Sequence, residues 1–181
     1  MRRTILLIMG GILLGGVIHI AIVFMVPYYA DHDAWAEMHR FGRDGQFHVL
    51  QVPQPGAEPL ASLDPHMLQA VCRFNLGRGP VRVQATLADE FWSVAVFDRR
   101  GRNVYSLNDR SVDSAHLDLV ILTPVQMAQL RQDPPASLET AVVQELPINS
   151  GFVLLRAFVP DDSLMPAIST ALKTADCGGS L

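Results

Sequence analysis

Arg99, Arg100 and Arg102 crowd one short segment of the stretch FWSVAVFDRRGRNVYSLNDR, which runs from Phe91 to Arg110. Guanidinium groups pair with phosphate and carboxylate through planar, forked hydrogen bonds. The chemistry offered here is therefore binding: to phospholipid head groups, to lipopolysaccharide phosphate or to an acidic partner. Tyr105, just beyond, is placed to line a pocket. A solvated hairpin tip is the commoner fate of such a charge cluster. A second group, Asp31, His32, Asp33, Glu37 and His39, offers oxygen and imidazole ligands. Its spacing fits no ligand motif, and segments beside a membrane are often polar because they are wet, so no metal is assigned. His48, His66 and His116 are scattered. No Gly-x-Ser-x-Gly marks a nucleophile, and Gly77-Arg78-Gly79-Pro80 lacks the Lys and Ser/Thr of a phosphate loop. No catalytic residue and no cofactor follow from these residues.

What must position the arginines is a hairpin. Phe91 to Phe97 is rich in aromatic and β-branched residues, which suit strands. Trp92, Val94 and Val96 share one face; Phe91, Ser93, Ala95 and Phe97 share the other, so the strand is expected to be central. Asp98-Arg99-Arg100-Gly101 supplies the turn, and Asn103 to Asn108 returns as the partner strand. Asn108 and Asp109 are suited to fix the following turn through their side chains.

Other elements follow from the same signals. Gln46 to Val52 alternates loosely as a strand. Asp64-Pro65 is a cap-then-Pro pair, and Asp64 to Arg73 is predicted as a helix with Leu68, Val71 and Cys72 on one side. Val81 to Leu87 alternates with period two, Val81, Val83 and Ala85 facing inward. Leu117 to Leu122 is a strand, and Thr123-Pro124 opens a helix to Gln132. Strands over 140–146 and 151–159 precede a last helix capped by Asp161 or Asp162. The expected fold is α+β: a mainly antiparallel, sandwich-like domain with two or three helices behind an N-terminal transmembrane helix.

That transmembrane helix is the source of the high mean hydropathy, +0.22. Residues 4–26 carry no charge and, at ~1.5 Å per residue, span a ~30 Å hydrocarbon core. Arg2 and Arg3 precede them and no basic residue follows until Arg40, which places the N-terminus in the cytoplasm and the remainder outside. Pro27 is predicted to end the span, with Tyr28 and Tyr29 at the interface. A cleaved signal peptide is the alternative, but the run is too long and Tyr28 too bulky for a usual cleavage site. The expected divisions are an anchor over 1–29, a juxtamembrane segment over 30–63 and an extracytoplasmic domain over 64–181. Gly11-x-x-x-Gly15 fits the close approach of two such helices and so a homodimer. Lipid around the helix is the first partner implied; a net charge of −4 argues against nucleic acid. In an oxidising compartment Cys72 and Cys177 can form a disulfide, although Cys72 would serve equally as a small buried hydrophobe.

Asp64-Pro65, then Gly79-Pro80-Val81-Arg82-Val83, Phe91-Trp92-Ser93-Val94 with Phe97-Asp98, and Asn103-Val104-Tyr105-Ser106-Leu107-Asn108-Asp109-Arg110 resemble the bacterial domain of unknown function 1254 family in its short membrane-anchored form. The resemblance spans roughly residues 64–159. It implies a β-rich, sandwich-like domain. It also implies that a separate protein carrying the domain of unknown function 1214, which adjoins this domain in longer members, is a partner. It brings no reaction and no catalytic residues. Two functions are expected: a non-catalytic envelope protein at the outer face of the inner membrane that binds a partner or ligand, or a subunit of an envelope enzyme whose site a partner domain completes.

Overall fold

The structure, a computed structural model, describes residues 2–38, 42–50, 64, 66–87, 90–112 and 116–178, with the side chains of 27–38 excepted. It opens on a helix, α1 (Arg2–Met38), whose stretch Arg2–Val26 is long and apolar enough to cross a membrane. The apolar stretch ends before Pro27 as expected, but the helix does not: it runs on to Met38. Proline removes one hydrogen bond and leaves the rest of the ladder to continue.

Among the described residues nine strands form two facing sheets. β1 (His48–Leu50), β2 (Met67–Asn75), β8 (Ser150–Phe158), β4 (Trp92–Asp98) and β5 (Asn103–Asn108) make one, in the order β1-β2-β8-β4-β5. β7 (Val142–Glu145), β6 (His116–Leu122), β3 (Val81–Thr86) and β9 (Asp176–Gly178) make the other, in the order β7-β6-β3-β9. Pairing is antiparallel throughout except between β6 and β7. That parallel pair needs a crossover, which α2 (Pro124–Leu130) supplies. Thr123 and Gln126 bond each other's backbone as a capping box at its start.

Each sheet sends alternate residues inward. Trp92, Val94 and Val96 of β4 meet Val81, Val83 and Ala85 of β3 in one core, the faces the alternation predicts. A second, smaller cluster lies under α2, where Met127 and Leu130 cover Val120 and Leu122. α3 (Met165–Thr174) buries Ile168 and Leu172 in the main core. The Cys72–Cys177 disulfide joins β2 to β9, tying one sheet to the other across 105 residues of sequence.

One element differs outright from expectation. The segment predicted as a helix after Asp64 is the strand β2, buried along nearly its whole length and paired with β8 from Met67–Phe158 to Asn75–Ser150. Leu68, Ala70, Cys72 and Phe74 face the core, while Val71 joins Leu50 and Phe152 on the opposite face. The outer face carries Gln69, Val71 and Arg73; Val71 interrupts its polar alternation, and with Leu68 and Cys72 it lets a helical spacing be drawn through the strand. β1, in the segment expected to lie beside the membrane, pairs with β2 from His48–Val71 to Leu50–Gln69.

Candidate functional site

Four polar side chains stand in one row across the outer face of the five-stranded sheet. Gln69 on β2 pairs in register with Arg156 on β8, Arg156 with Ser93 on β4, and Ser93 with Asn108 on β5. Register partners in antiparallel strands project to the same side with Cβ atoms about 5 Å apart. The neighbours of Ser93 and Arg156 along their strands, Trp92, Val94, Leu155 and Ala157, turn into the core. The pleat therefore turns Ser93 and Arg156 outward together.

The row floors a cavity of about 590 Å³. Asp64, Met67 and Phe91 rim it where β2 and β4 begin, and Ser111 where β5 has ended. Asn108 shapes that last corner. Its Oδ1 accepts from the Arg110 backbone N–H at 3.2 Å and from the Ser111 hydroxyl at 3.0 Å. This is the side-chain turn expected of it. Asp64 Oδ1 accepts from the backbone N–H of His66 at 2.9 Å.

Ser93 is only 8% exposed, yet its Oγ has no hydrogen-bond partner among the described residues, and neither has the buried Nε of Arg156. An unsatisfied buried polar atom costs about 1–3 kcal/mol. The two lie on adjacent strands, in residues that both line one cavity, and a ligand drawn onto this floor would give them partners. Asp109 Oδ1 is also buried without a partner among the described residues.

A second cavity, about 740 Å³, lies beside β3 and β6. Asp118, His116 and Thr86 in its lining already have partners. Arg82 grips Asp118 through Nε to Oδ1 at 2.8 Å and Nη2 to Oδ2 at 2.7 Å, and His116 Nδ1 lies 3.1 Å from Thr86 Oγ1. The Arg82 hydrogen bond holds the Asp118 carboxyl below the usual carboxylate range against the opposing effect of burial.

The arginines singled out from sequence lie elsewhere. Their turn is at the opposite end of β4, about five residue steps from Ser93, or ~16 Å at ~3.3 Å per residue. Asp98 organises it. Gly101 donates its N–H to the Asp98 carbonyl at 3.0 Å and takes φ 75°, which only glycine adopts readily. The buried Asp98 carboxylate accepts from the backbone N–H groups of Arg100 and Arg102 and from Arg102 Nε at 2.7 Å. Arg102 is thus spoken for by the turn, and Arg99 is engaged by the protein as well. Tyr105 packs against the main core rather than into the cavity, and burial raises its hydroxyl above the ordinary value.

Gly11 and Gly15 lie on α1, where an added Cβ would meet no atom within 4 Å. The side chains of Asp31, His32, Asp33 and Glu37, and His39 altogether, lie outside what is described. Among the described residues no three His, Cys, Asp or Glu side chains are grouped to hold a metal. Ser93 and Arg156 were not among the residues picked from sequence. The available signal was the lone arginine in the otherwise apolar run GFVLLRAFV.

The fold is shared with a crystal structure of a protein from Vibrio parahaemolyticus at a TM-score of 0.62 and 12% identity, covering 86% of this chain and 36% of that one. An uncharacterized protein from Burkholderia cenocepacia aligns at a TM-score of 0.45 and 14% identity, over 79% of this chain and 38% of that one. The chain spans little more than a third of the length of either. No curated protein matches it. The family described as protein of unknown function (DUF1254) matches residues 45–177, from the glycine that bonds Arg73 through the second half of the disulfide. With most of its 181 residues matched, the chain belongs to the DUF1254 family, carried behind an N-terminal helix long and apolar enough to cross a membrane.

Proposed function

We propose that this protein is a single-pass inner-membrane protein whose periplasmic sandwich binds a small molecule without turning it over, in the cavity floored by Ser93 and Arg156. The observation that carries the reading is a pair of polar atoms, without partners among the described residues, on adjacent strands in residues that line one cavity. The volume falls in the ~300–1,000 Å³ range of small-molecule sites. The Cys72–Cys177 disulfide supports an oxidising compartment. Arg2 and Arg3 before the apolar stretch support an N-terminus in the cytoplasm. Native mass spectrometry of the full chain in lipid nanodiscs tests the binding: a bound small molecule lost on Ser93→Trp is expected, and a bound mass indifferent to that variant counts against the cavity. A reporter fused after Leu181 should be active only outside the cytoplasm.

A second reading rests on the length comparison. The Vibrio parahaemolyticus protein with this fold is nearly three times as long as the stretch it shares. This chain would then be one subunit of an envelope enzyme, with a partner protein carrying the domain of unknown function 1214 completing the site. Affinity capture on the intact chain separates the two: turnover of a substrate by a stoichiometric complex, and not by the chain alone, favours the enzyme subunit.

A further inference from the structure

We infer that the cavity on the five-stranded sheet takes a small organic carboxylate, its two oxygens on the fork of Arg156 and the Ser93 hydroxyl, its apolar body against Met67 and Phe91. The inference rests on the ligand-binding reading above and names the class of ligand.

Two other strand arginines of this sandwich show how the chain treats a guanidinium that it buries for structure. Arg73 pairs with Asp44 at 2.9 Å and Arg82 with Asp118 at 2.7 Å. Both receive an aspartate of their own. Arg156 rises from β8, an interior strand held by β2 on one side and β4 on the other. Its Nε is buried and has no partner among the described residues. Among the described residues no carboxylate pairs with it, and that counter-ion is what a ligand would bring.

The shape of that counter-ion follows from the donors. Nε and one Nη lie along a single edge of the guanidinium and match the two oxygens of a carboxylate. Arg82 and Asp118 form that fork in this same protein, at 2.8 and 2.7 Å. The Ser93 hydroxyl, one strand away in register, is a third donor to the same group. Charge argues for a monoanion over a phosphate. Among the described residues Arg156 is the one arginine that lines the cavity, and Asp64 on the rim brings a negative charge of its own. With both counted, every further negative charge on the ligand goes uncompensated, so a monoanion is penalised less than a dianion. The rim then decides the rest of the molecule: Met67 borders the floor and Phe91, 40% exposed, stands at its edge. They offer apolar surface to an alkyl or aryl body.

The test uses the full chain in lipid nanodiscs at neutral pH, with hexanoate, hexanol, hexylamine and inorganic phosphate as probes, read by calorimetry and by the shift in Tm that ligand binding produces. Hexanoate should bind and raise Tm. Hexanol, hexylamine and phosphate should bind at least about 100-fold more weakly, because each forfeits the forked, charge-assisted pair or its balance. Arg156→Gln should remove hexanoate binding, Arg156→Lys should weaken it roughly 10-fold by keeping the charge without the fork, and Ser93→Ala by a similar factor. The comparison of probes on the unaltered protein stands even if a variant fails to fold. Hexanol or hexylamine binding as tightly as hexanoate, and being blocked by Ser93→Trp, would keep the cavity as a binding site and overturn the carboxylate. Phosphate outbinding hexanoate would overturn it in favour of a phosphoryl group. If no probe binds and Ser93→Trp changes nothing, the inference and the ligand-binding reading fall together.

Discussion

Asp98 and Arg102 are locked together at the tip of the β4–β5 hairpin, Oδ2 of the carboxylate lying 2.7 Å from both Nε and Nη2 of the guanidinium. The carboxylate is 8% exposed and the guanidinium 69%. Solvent therefore screens the ion pair, and most of the stabilisation comes from the buried acceptor's bonds to the backbone N–H groups of Arg100 and Arg102. Burial is the largest single influence on Asp98 and opposes its ionisation. The bonds from the Arg102 backbone, the Arg102 side chain and Arg100 together outweigh it and hold the carboxyl below its ordinary value.

A carboxyl held low in the folded state stabilises above its unfolded pKa and loses that contribution as pH falls through its folded one. Asp98 and Asp118 are both of this kind. Stability should be flat near neutrality and decline below about pH 4. Asp98→Ala should cost about 1–3 kcal/mol at pH 7, and the gap to wild type should narrow in acid. Urea denaturation at a series of pH values checks this; a gap that stays constant down to pH 2 would count against the carboxylate as its source.

Replacing Arg99, Arg100 and Arg102 together is consequently a poor test of binding at the hairpin tip. Arg102→Gln strips a buried carboxylate of its side-chain partner and should lower stability. Arg100, which the turn holds only through its backbone N–H, is the informative position.

The Cys72–Cys177 disulfide closes a loop of 105 residues between the two sheets. Chain entropy alone values such a closure at about 4–5 kcal/mol. Reduction, or the double variant Cys72→Ala/Cys177→Ala, should lower the urea midpoint by the corresponding amount. An unchanged midpoint in reductant would show that the sheets hold without the link.

Gly151 on β8 has no room for a side chain. A Cβ there would fall 2.1 Å from the Phe97 carbonyl oxygen and 3.1 Å from Phe74 Cζ. The first contact is with the backbone of β4, which cannot swing aside as a side chain tip can. Gly151→Ala should cost at least about 2 kcal/mol, and hydrogen exchange should show the loss first where Asp98 pairs with Gly151.

Much of the architecture was legible because one face of a strand or helix was polar. Arg82 and Gln84 interleaved with Val81, Val83 and Ala85 fixed β3, and Thr123-Pro124 marked α2. β2 was lost because Asp64-Pro65 imitates a helix start and Val71 interrupts the polar face that Gln69 and Arg73 otherwise mark. Leu68, Val71 and Cys72 then fit a helical spacing, and pairing with β1 and β8 is what sets them on opposite faces. β9, three residues long, owes its existence to pairing with β3 and to the disulfide, and neither leaves a periodic trace. The candidate site was hidden by distance. Ser93 and Arg156 are 63 positions apart, and register alone makes them neighbours.

The glycine face of α1 makes a separate prediction. If Gly11 and Gly15 let two copies of the helix meet, crosslinked dimers in membranes should vanish when both become Leu. The sandwich should fold unchanged, since an added Cβ at either position meets none of the described residues within 4 Å beyond the helix's own backbone. Dimers that persist would place any self-association elsewhere.

The segment that leads in from α1 is pinned at one end of the five-stranded sheet, where Gly45 donates to the Arg73 carbonyl and Asp44 pairs with the Arg73 side chain. The cavity opens at the other end, rimmed by Asp64, Phe91 and Ser111. Among the described residues, the lead-in contacts and the cavity rim thus lie at the two ends of β2. If α1 anchors and the cavity binds as proposed, such a scaffold is modular: rim residues can be exchanged to suit a different molecule while the lead-in stays as it is.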